Sequence, residues 1–284
     1  VFILALFCFK LNCFSQNKSK PPNIILIIVD DLRPELGVYG NNIIKTPHID
    51  ALAQDGMIFK NAYCNVPVCG ASRASMLTGL RPNNNRFLTY KTKISEDAPK
   101  AITFPKLLKD KGYNTFSYNK VAHHKYDAKG SWNQEWYPYL KNGITKASFI
   151  GWKDYQLQAN RIALINKTPT AVSEKVDGDD SIYFDGQTTQ KVISDLNELQ
   201  NNNTPFFMAV GYVKPHLPFN APSKYWDLYK GNDINLPVNH TFPKSVPKVA
   251  NHKWGELRSY NKIPKEGPVS DSMGKHLIHG YYAC

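Results

Sequence analysis

The chain has 284 residues, 42% hydrophobic and 20% charged, enough for one large domain or two ordinary ones with a packed core, which excludes wholesale disorder. No repeat period runs through it, which excludes solenoids and propellers. Lys and Arg number 35 against 23 Asp and Glu, a net charge of +12; that balance either favours an anionic partner or simply solvates the surface.

The first residues, VFILALFCF, are followed by Lys10 and a polar stretch. They form the apolar core of a signal peptide over residues 1–16, too short to span a membrane. Secretion or a periplasmic location follows, with cleavage near Ser15–Gln16. A lipid anchor on Cys13 is the weaker alternative, because Lys10, Leu11 and Asn12 are poor residues to precede it. The run begins without a charged segment, and the tail HLIHGYYAC stops inside an amphipathic helical pattern with no terminator. The chain is therefore expected to be a fragment cut at both ends.

Residues 23–29, NIILIIV, carry after Asn23 an unbroken, largely β-branched apolar run, expected to form a strand buried on both faces of a parallel sheet. Thr46–Pro47 opens a helix closed by Gly56. MIFKNAY reads as a second strand. A helix is expected just after Cys69, another over FPKLLKDKG, and a strand over YNTFSYNK. Residues 125–180 read as an excursion of loops. GQTTQKVISDLNELQNN predicts a helix and PFFMAVGYV a buried strand. Dense prolines from Pro215 to Pro268 predict a long surface segment. Strands alternating with helices give an α/β domain with a mainly parallel sheet flanked by helices.

Five cysteines are present. Cys8 and Cys13 lie in the signal segment and Cys284 is the last residue. Cys64 and Cys69 remain, too few and too close for a disulfide framework.

In open α/β sheets, ligands bind beyond the carboxyl ends of the strands. Reactive residues fall at such ends four times: Asp30 and Asp31 after NIILIIV, Cys69 before its helix, Lys120 and His123 after YNTFSYN, and Lys214 and His216 after PFFMAVGYV. Adjacent carboxylates repel each other, and a divalent cation removes the conflict; hard oxygen donors favour Ca²⁺, then Mg²⁺. A turn cap by one Asp, with the other in solvent, explains the pair equally well. Cys69-Gly70-Ala71-Ser72-Arg73 puts position 69 at a helix N-terminus, a setting for an anion, with Arg73 four residues on along the same face. A small buried thiol or an activated cysteine nucleophile remains open at this point.

These residues resemble the type I sulfatases, the formylglycine-dependent members of the alkaline-phosphatase superfamily. Cys-Gly-Ala-Ser-Arg is similar to their maturation signature Cys-x-Pro/Ala-x-Arg, and MLTG after it is also typical. The stretch from NIILIIVDDLRP to SMLTGLRP resembles specifically the iduronate 2-sulfatase group and its bacterial relatives. NKVAHH is similar to that group's G-K-V-x-H segment, with Asn119 in place of Gly, and FFMAVGYVKPHLPF to its segment of the same shape.

The resemblance implies an alkaline-phosphatase-like (sulfatase) fold, incomplete at the C-terminus, with residues 17–284 as the N-terminal part of the catalytic domain. It implies one Ca²⁺ bound by Asp30, Asp31 and position 69, and Cys69 converted to formylglycine by a maturation enzyme. The formylglycine hydrate would be the nucleophile, steadied by Arg73. Lys120 would hold a sulfate oxygen, His123 would assist the hydrate, and His216 would face the oxygen linking sulfate to substrate. In KPH the functional member is His216, with Lys214 less certain. The implied substrate is a sulfated glycan or small sulfate ester; no nucleic-acid partner and no stable membrane span are expected. A phosphoester hydrolase of the same superfamily and a non-catalytic binder of sulfated glycans are the alternatives. The family's second carboxylate-bearing metal segment and a further lysine have no counterpart here, and His276 and His279 read as surface positions on the last helix.

Overall fold

A computed structural model describes residues 20–124, 126–139, 152–239, 243–250 and 255–284 of the protein. The signal segment expected over residues 1–16 lies outside the described residues. The elements run β1 (Ile24–Val29), α1 (Pro47–Asp55), α2 (Cys69–Thr78), α3 (Ile94–Asp97), α4 (Phe104–Asp110), β2 (Asn114–Asn119), β3 (Gln134–Trp136), α5 (Gln158–Ile165), β4 (Ser173–Val176), α6 (Phe184–Leu199), β5 (Phe206–Tyr212), β6 (Phe219–Pro222), α7 (Ser223–Trp226) and α8 (Asp271–Ala283).

Four strands form a parallel sheet in the order β1-β5-β2-β3. The central strand β5 shows why: Phe206, Met208 and Val210 pack with Phe116, Tyr118 and Val192 of α6, while Phe207 and Ala209 face α2 and α4 beside Ala71, Ala74 and Leu77. Both faces of β5 are covered, so its sequence is apolar throughout. Tight turns frame the helices: the Thr103 hydroxyl accepts the Lys106 N–H at the start of α4, and Gly79 ends α2 at φ 69°.

Several expectations are corrected. β1 is not buried on both faces: Ile25 is 49% and Ile27 56% exposed, because α6 packs on β5 and β2 and, among the described residues, nothing pairs with the far edge of β1. MIFKNAY is no strand. Met57, Phe59 and Tyr63 are exposed, and an apolar alternation with no neighbouring strand to pair with has no ladder to join. Residues 125–180 are not all loop, since they carry β3, α5 and β4. The proline-rich stretch is not simply surface. β6 is buried along its length and pairs in parallel with β4, and Trp226, Tyr229, Ile234, Tyr260 and Ile263 are buried after it. Short strands whose partners lie far along the chain leave little local periodicity to read.

Candidate functional site

The strand order brings three carboxyl ends side by side. Val29 of β1 and Asn119 of β2 flank Tyr212 and Gly211 of β5. The ladder runs one step further on each side: Asp30 N–H donates to the Tyr212 carbonyl (3.1 Å) and Lys120 N–H to the Gly211 carbonyl (3.1 Å). Residues 90 positions apart in sequence are thereby held on either side of β5. Gly211 is required for this approach, since a Cβ there would lie 2.0 Å from the Lys120 carbonyl carbon and oxygen.

Asp30 is buried and bound by two cations. Arg73 Nη2 reaches Oδ1 at 2.8 Å and Lys120 Nζ reaches Oδ2 at 2.7 Å. Burial by itself would raise its pKa, but the Arg73 and Lys120 charges override it and hold the carboxyl well below the usual range. Arg73 also donates through Nη1 to the carbonyls of Lys120 and Val121. Its planar fork thus ties α2 to the ends of both β1 and β2.

Asp31 follows at φ 58°, a left-handed turn that aspartate tolerates. Its pKa is raised, first by burial and then by Asp30, with His216 opposing. The Tyr281 hydroxyl of α8 donates to the Asp31 carbonyl (2.9 Å) and accepts the Arg33 N–H (2.7 Å). No signal in the sequence marks Tyr281, 250 residues away, as the prop of this turn.

Cys69 is the first residue of α2. Burial pushes its thiol up, with Lys120 opposing. That direction is opposite to the lowered thiol pKa of an activated cysteine nucleophile. Cys69 shares a cavity of about 390 Å³ with Asp30, Asp31, Ser72, Arg73 and the exposed Cys64. His123 stands edge-on to His124 (4.7 Å between ring centres). Burial, Lys120 and His124 lower its pKa to about 3, so its ring is neutral near pH 7. Asn119, which stands where the resemblance has Gly, adopts φ 59° and donates to Asp185 (3.1 Å). The left-handed conformation is the physical reason that glycine suits this position.

His216 follows β5. Its Nδ1 lies 2.6 Å from the Leu217 carbonyl, so Nδ1 carries the hydrogen. Nε2 lies 3.7 Å from Glu256, and Trp152 meets the ring edge-on at 6.2 Å. Neither Glu256 nor Trp152 carried a signal in the sequence, since both come from stretches without periodicity. On α8, His276 is exposed and bonded to Ser173 (2.7 Å), while the half-buried His279 bonds the Trp226 carbonyl (2.8 Å). His276 is a surface position as expected, whereas His279 is not, because it packs against Trp226 and Tyr229.

Two adjacent carboxylates beside a helix N-terminus supply hard oxygen donors that fit Ca²⁺ or Mg²⁺. The set is short: among the described residues no three or more His, Cys, Asp and Glu side chains converge as a metal-binding group. Among the described residues no helix is long and apolar enough to cross a membrane.

The sulfatase family profile matches residues 22–263. Iduronate 2-sulfatase of Mus musculus is 32% identical over 295 aligned residues, covering 99% of this chain and 52% of that protein. A sulfatase of Formosa agariphila is 28% identical, covering 100% and 57%. The chain thus spans about half the length of the curated relatives it matches. Among solved structures, the phosphonate monoester hydrolase of Agrobacterium radiobacter superposes with a TM-score of 0.62 at 19% identity, over 93% of this chain and 56% of that one. A putative sulfatase from Bacteroides fragilis gives 0.53 at 22% identity, over 95% and 56%. The parallel sheet flanked by helices and the family match agree: the chain belongs to the sulfatase family and carries its alkaline-phosphatase-like fold.

Proposed function

We propose that the protein hydrolyses sulfate monoesters on a sulfated carbohydrate, with an iduronate 2-sulfatase-like preference, using formylglycine at position 69 and one Ca²⁺. The observation that carries this reading is the convergence of Asp30, Lys120, Arg73 and position 69 where β1, β2 and α2 meet. Asp30, Asp31 and position 69 would hold the Ca²⁺, which would supply positive charge for the developing anion, and formylglycine would supply a hydrated aldehyde hydroxyl as nucleophile.

The chain's own residues do the rest. Arg73 fixes Asp30 and the N-terminal turn of α2, so position 69 is presented at a set distance from the strand ends. Lys120 offers its ammonium to a sulfate oxygen as negative charge builds. His123, neutral at the site, assists the hydrate and later helps expel sulfate. His216, its Nδ1–H held by the Leu217 carbonyl, would act as an imidazolium that gives its Nε2 proton to the bridging oxygen as the S–O bond breaks. Overall, water and ester give alcohol and hydrogen sulfate.

On this reading residues 1–16 direct export to the periplasm or beyond, and a formylglycine-generating enzyme acts on Cys69. Residues 17–284, which match about half the length of the curated relatives, form part of a sulfatase catalytic domain on this reading. The test is the mass of the tryptic peptide containing position 69, together with release of sulfate and phosphate from aryl esters by the full-length gene product. An aldehyde at 69 with preferential sulfate release supports the proposal. Preferential phosphate release favours a phosphoester hydrolase. Binding of sulfated polymers without turnover, with Cys69 an intact thiol, favours a non-catalytic binder.

A further inference from the structure

Two buried lysines follow strands of the sheet, and they face different partners. Lys120 pairs with the Asp30 carboxylate. Lys214, 8% exposed, curls back over its own loop. Its Nζ lies 3.2 Å from the Trp152 carbonyl, 3.1 Å from that of His216 and 2.6 Å from that of Pro218. An ammonium has three hydrogens and no acceptor, so three carbonyls use its whole donor capacity and leave none for a sulfate oxygen.

The backbone of the same turn is held from the other side. Asp185, in the first turn of α6, accepts the N–H of Val213 (3.0 Å to each oxygen) and of Lys214 (2.8 Å). The buried Asp154 and the half-buried Asp185 lie close enough to Lys214 for its charge to stabilise theirs, which offsets the burial of the ammonium. Between these two anchors sits His216. Its carbonyl is tied to Lys214, its N–H to the Val213 carbonyl (3.0 Å), and its Nδ1 to the Leu217 carbonyl. The Trp152 carbonyl, on the same ammonium, brings the Trp152 ring against the imidazole.

We propose that Lys214 is a positioning residue: its ammonium gathers the carbonyls of Trp152, His216 and Pro218 and so fixes the direction and tautomer of His216. This rests on the reading of His216 as the residue that faces the bridging oxygen. Lys120, not Lys214, is the anion-binding lysine of the strand ends. Removing one such buttress of a functional group lowers activity by about 10- to 100-fold in comparable settings.

The experiment uses the full-length gene product with ¹⁵N-labelled lysine and histidine. In the wild type, the Nδ1–H tautomer of His216 and a slowly exchanging Lys214 ammonium signal are expected. Titration with inorganic sulfate should shift the Lys120 ammonium and leave Lys214 in place. In Lys214→Gln, kcat on an aryl sulfate should fall by about 10- to 100-fold with KM changed far less, and the His216 ring signals should become mixed. Lys214→Arg should not restore kcat, because a planar fork cannot meet three carbonyls arranged about a tetrahedral ammonium. In a His216→Ala background, Lys214→Gln should cost little more.

A Lys214 signal that follows added sulfate would overturn the proposal, as would full rescue by Lys214→Arg or additive losses in the double variant. If Lys214→Gln does not fold, the wild-type signals alone decide. If the wild type releases no sulfate from any ester, the proposed activity fails, while the His216 tautomer and the Lys214 signal still decide whether the clamp exists.

Discussion

Arg73 Nη2 and Asp30 Oδ1 form a 2.8 Å ion pair in which both side chains are 5% exposed. The pair links the fifth residue of α2 to the first residue past β1, 43 positions earlier. Arg73 also donates to the carbonyls of Lys120 and Val121, so one guanidinium joins three segments that share no local sequence pattern. A buried pair of this kind is costly to break from one side, because the partner charge stays behind without compensation.

Arg73→Lys keeps the charge but cannot span Asp30 and two carbonyls at once. Sulfate release should fall steeply, and unfolding stability should drop by about 1–3 kcal/mol, the cost of leaving buried carbonyls without their donor. Denaturant melts and turnover on an aryl sulfate check both. Near-normal turnover would remove Arg73 from the proposed site.

Gly211→Ala places a methyl group 2.0 Å from the Lys120 carbonyl and 2.5 Å from the Val121 nitrogen. These are backbone atoms of the adjacent ladder and cannot swing aside, so β2 must shift away from β5. A stability loss of about 1–3 kcal/mol or more is expected. Lys120 should move off Asp30, which a crystal structure of the variant would reveal.

Asp154 titrates at about 7, raised from 3.8 first by burial, with Lys214 opposing. A carboxyl with a raised folded pKa keeps its proton in the folded state after the unfolded chain has lost it. Its contribution to stability is therefore greatest below pH 3.8, falls as pH rises from there to about 7, and is level above. About three pH units at 1.4 kcal/mol each set a ceiling of about 4 kcal/mol. Asp154→Asn is permanently neutral and keeps an acceptor for the Phe184 N–H (2.7 Å). Relative to wild type it should be stabilised more at pH 8 than at pH 4.5. Parallel pH–melting curves for the two proteins would show that Asp154 is ionised throughout.

Under the proposed function, removing divalent cations from the full-length gene product should lower its melting temperature, and Ca²⁺ should restore it better than Mg²⁺. At 100 times the dissociation constant a bound ion adds about 2.7 kcal/mol. Asp31→Asn should abolish that response. An unchanged melt with and without Ca²⁺ would leave Asp30 and Asp31 as turn and ion-pair residues only.

The members of the candidate site were legible because they sit in contiguous words. Cys69 and Arg73 share one helix face at a fixed spacing, Asp30–Asp31 closes an apolar run, and Lys120 and His216 each follow a strand. These are local relations, set by helical and strand periods that a chain carries in its own order. β5, with apolar partners on both faces, and α6, with one apolar stripe, were legible for the same reason.

What the sequence could not supply is which face each element finds. IILIIV, Ile24–Val29, is apolar at every position, yet Ile25 and Ile27 are exposed because α6 packs on β5 and β2. MIFKNAY has the composition of a strand and no partner to make it one. Tyr281 supporting Asp31, Glu256 beside His216, and Lys214 spending its three hydrogens on carbonyls are all contacts between distant segments or backbone atoms. Residue identity at a position determined which groups were available. The strand order β1-β5-β2, and the close approach of Gly211 to Lys120 within it, decided which of them meet, because hydrogen-bond direction and packing distance exist only once the chain is folded.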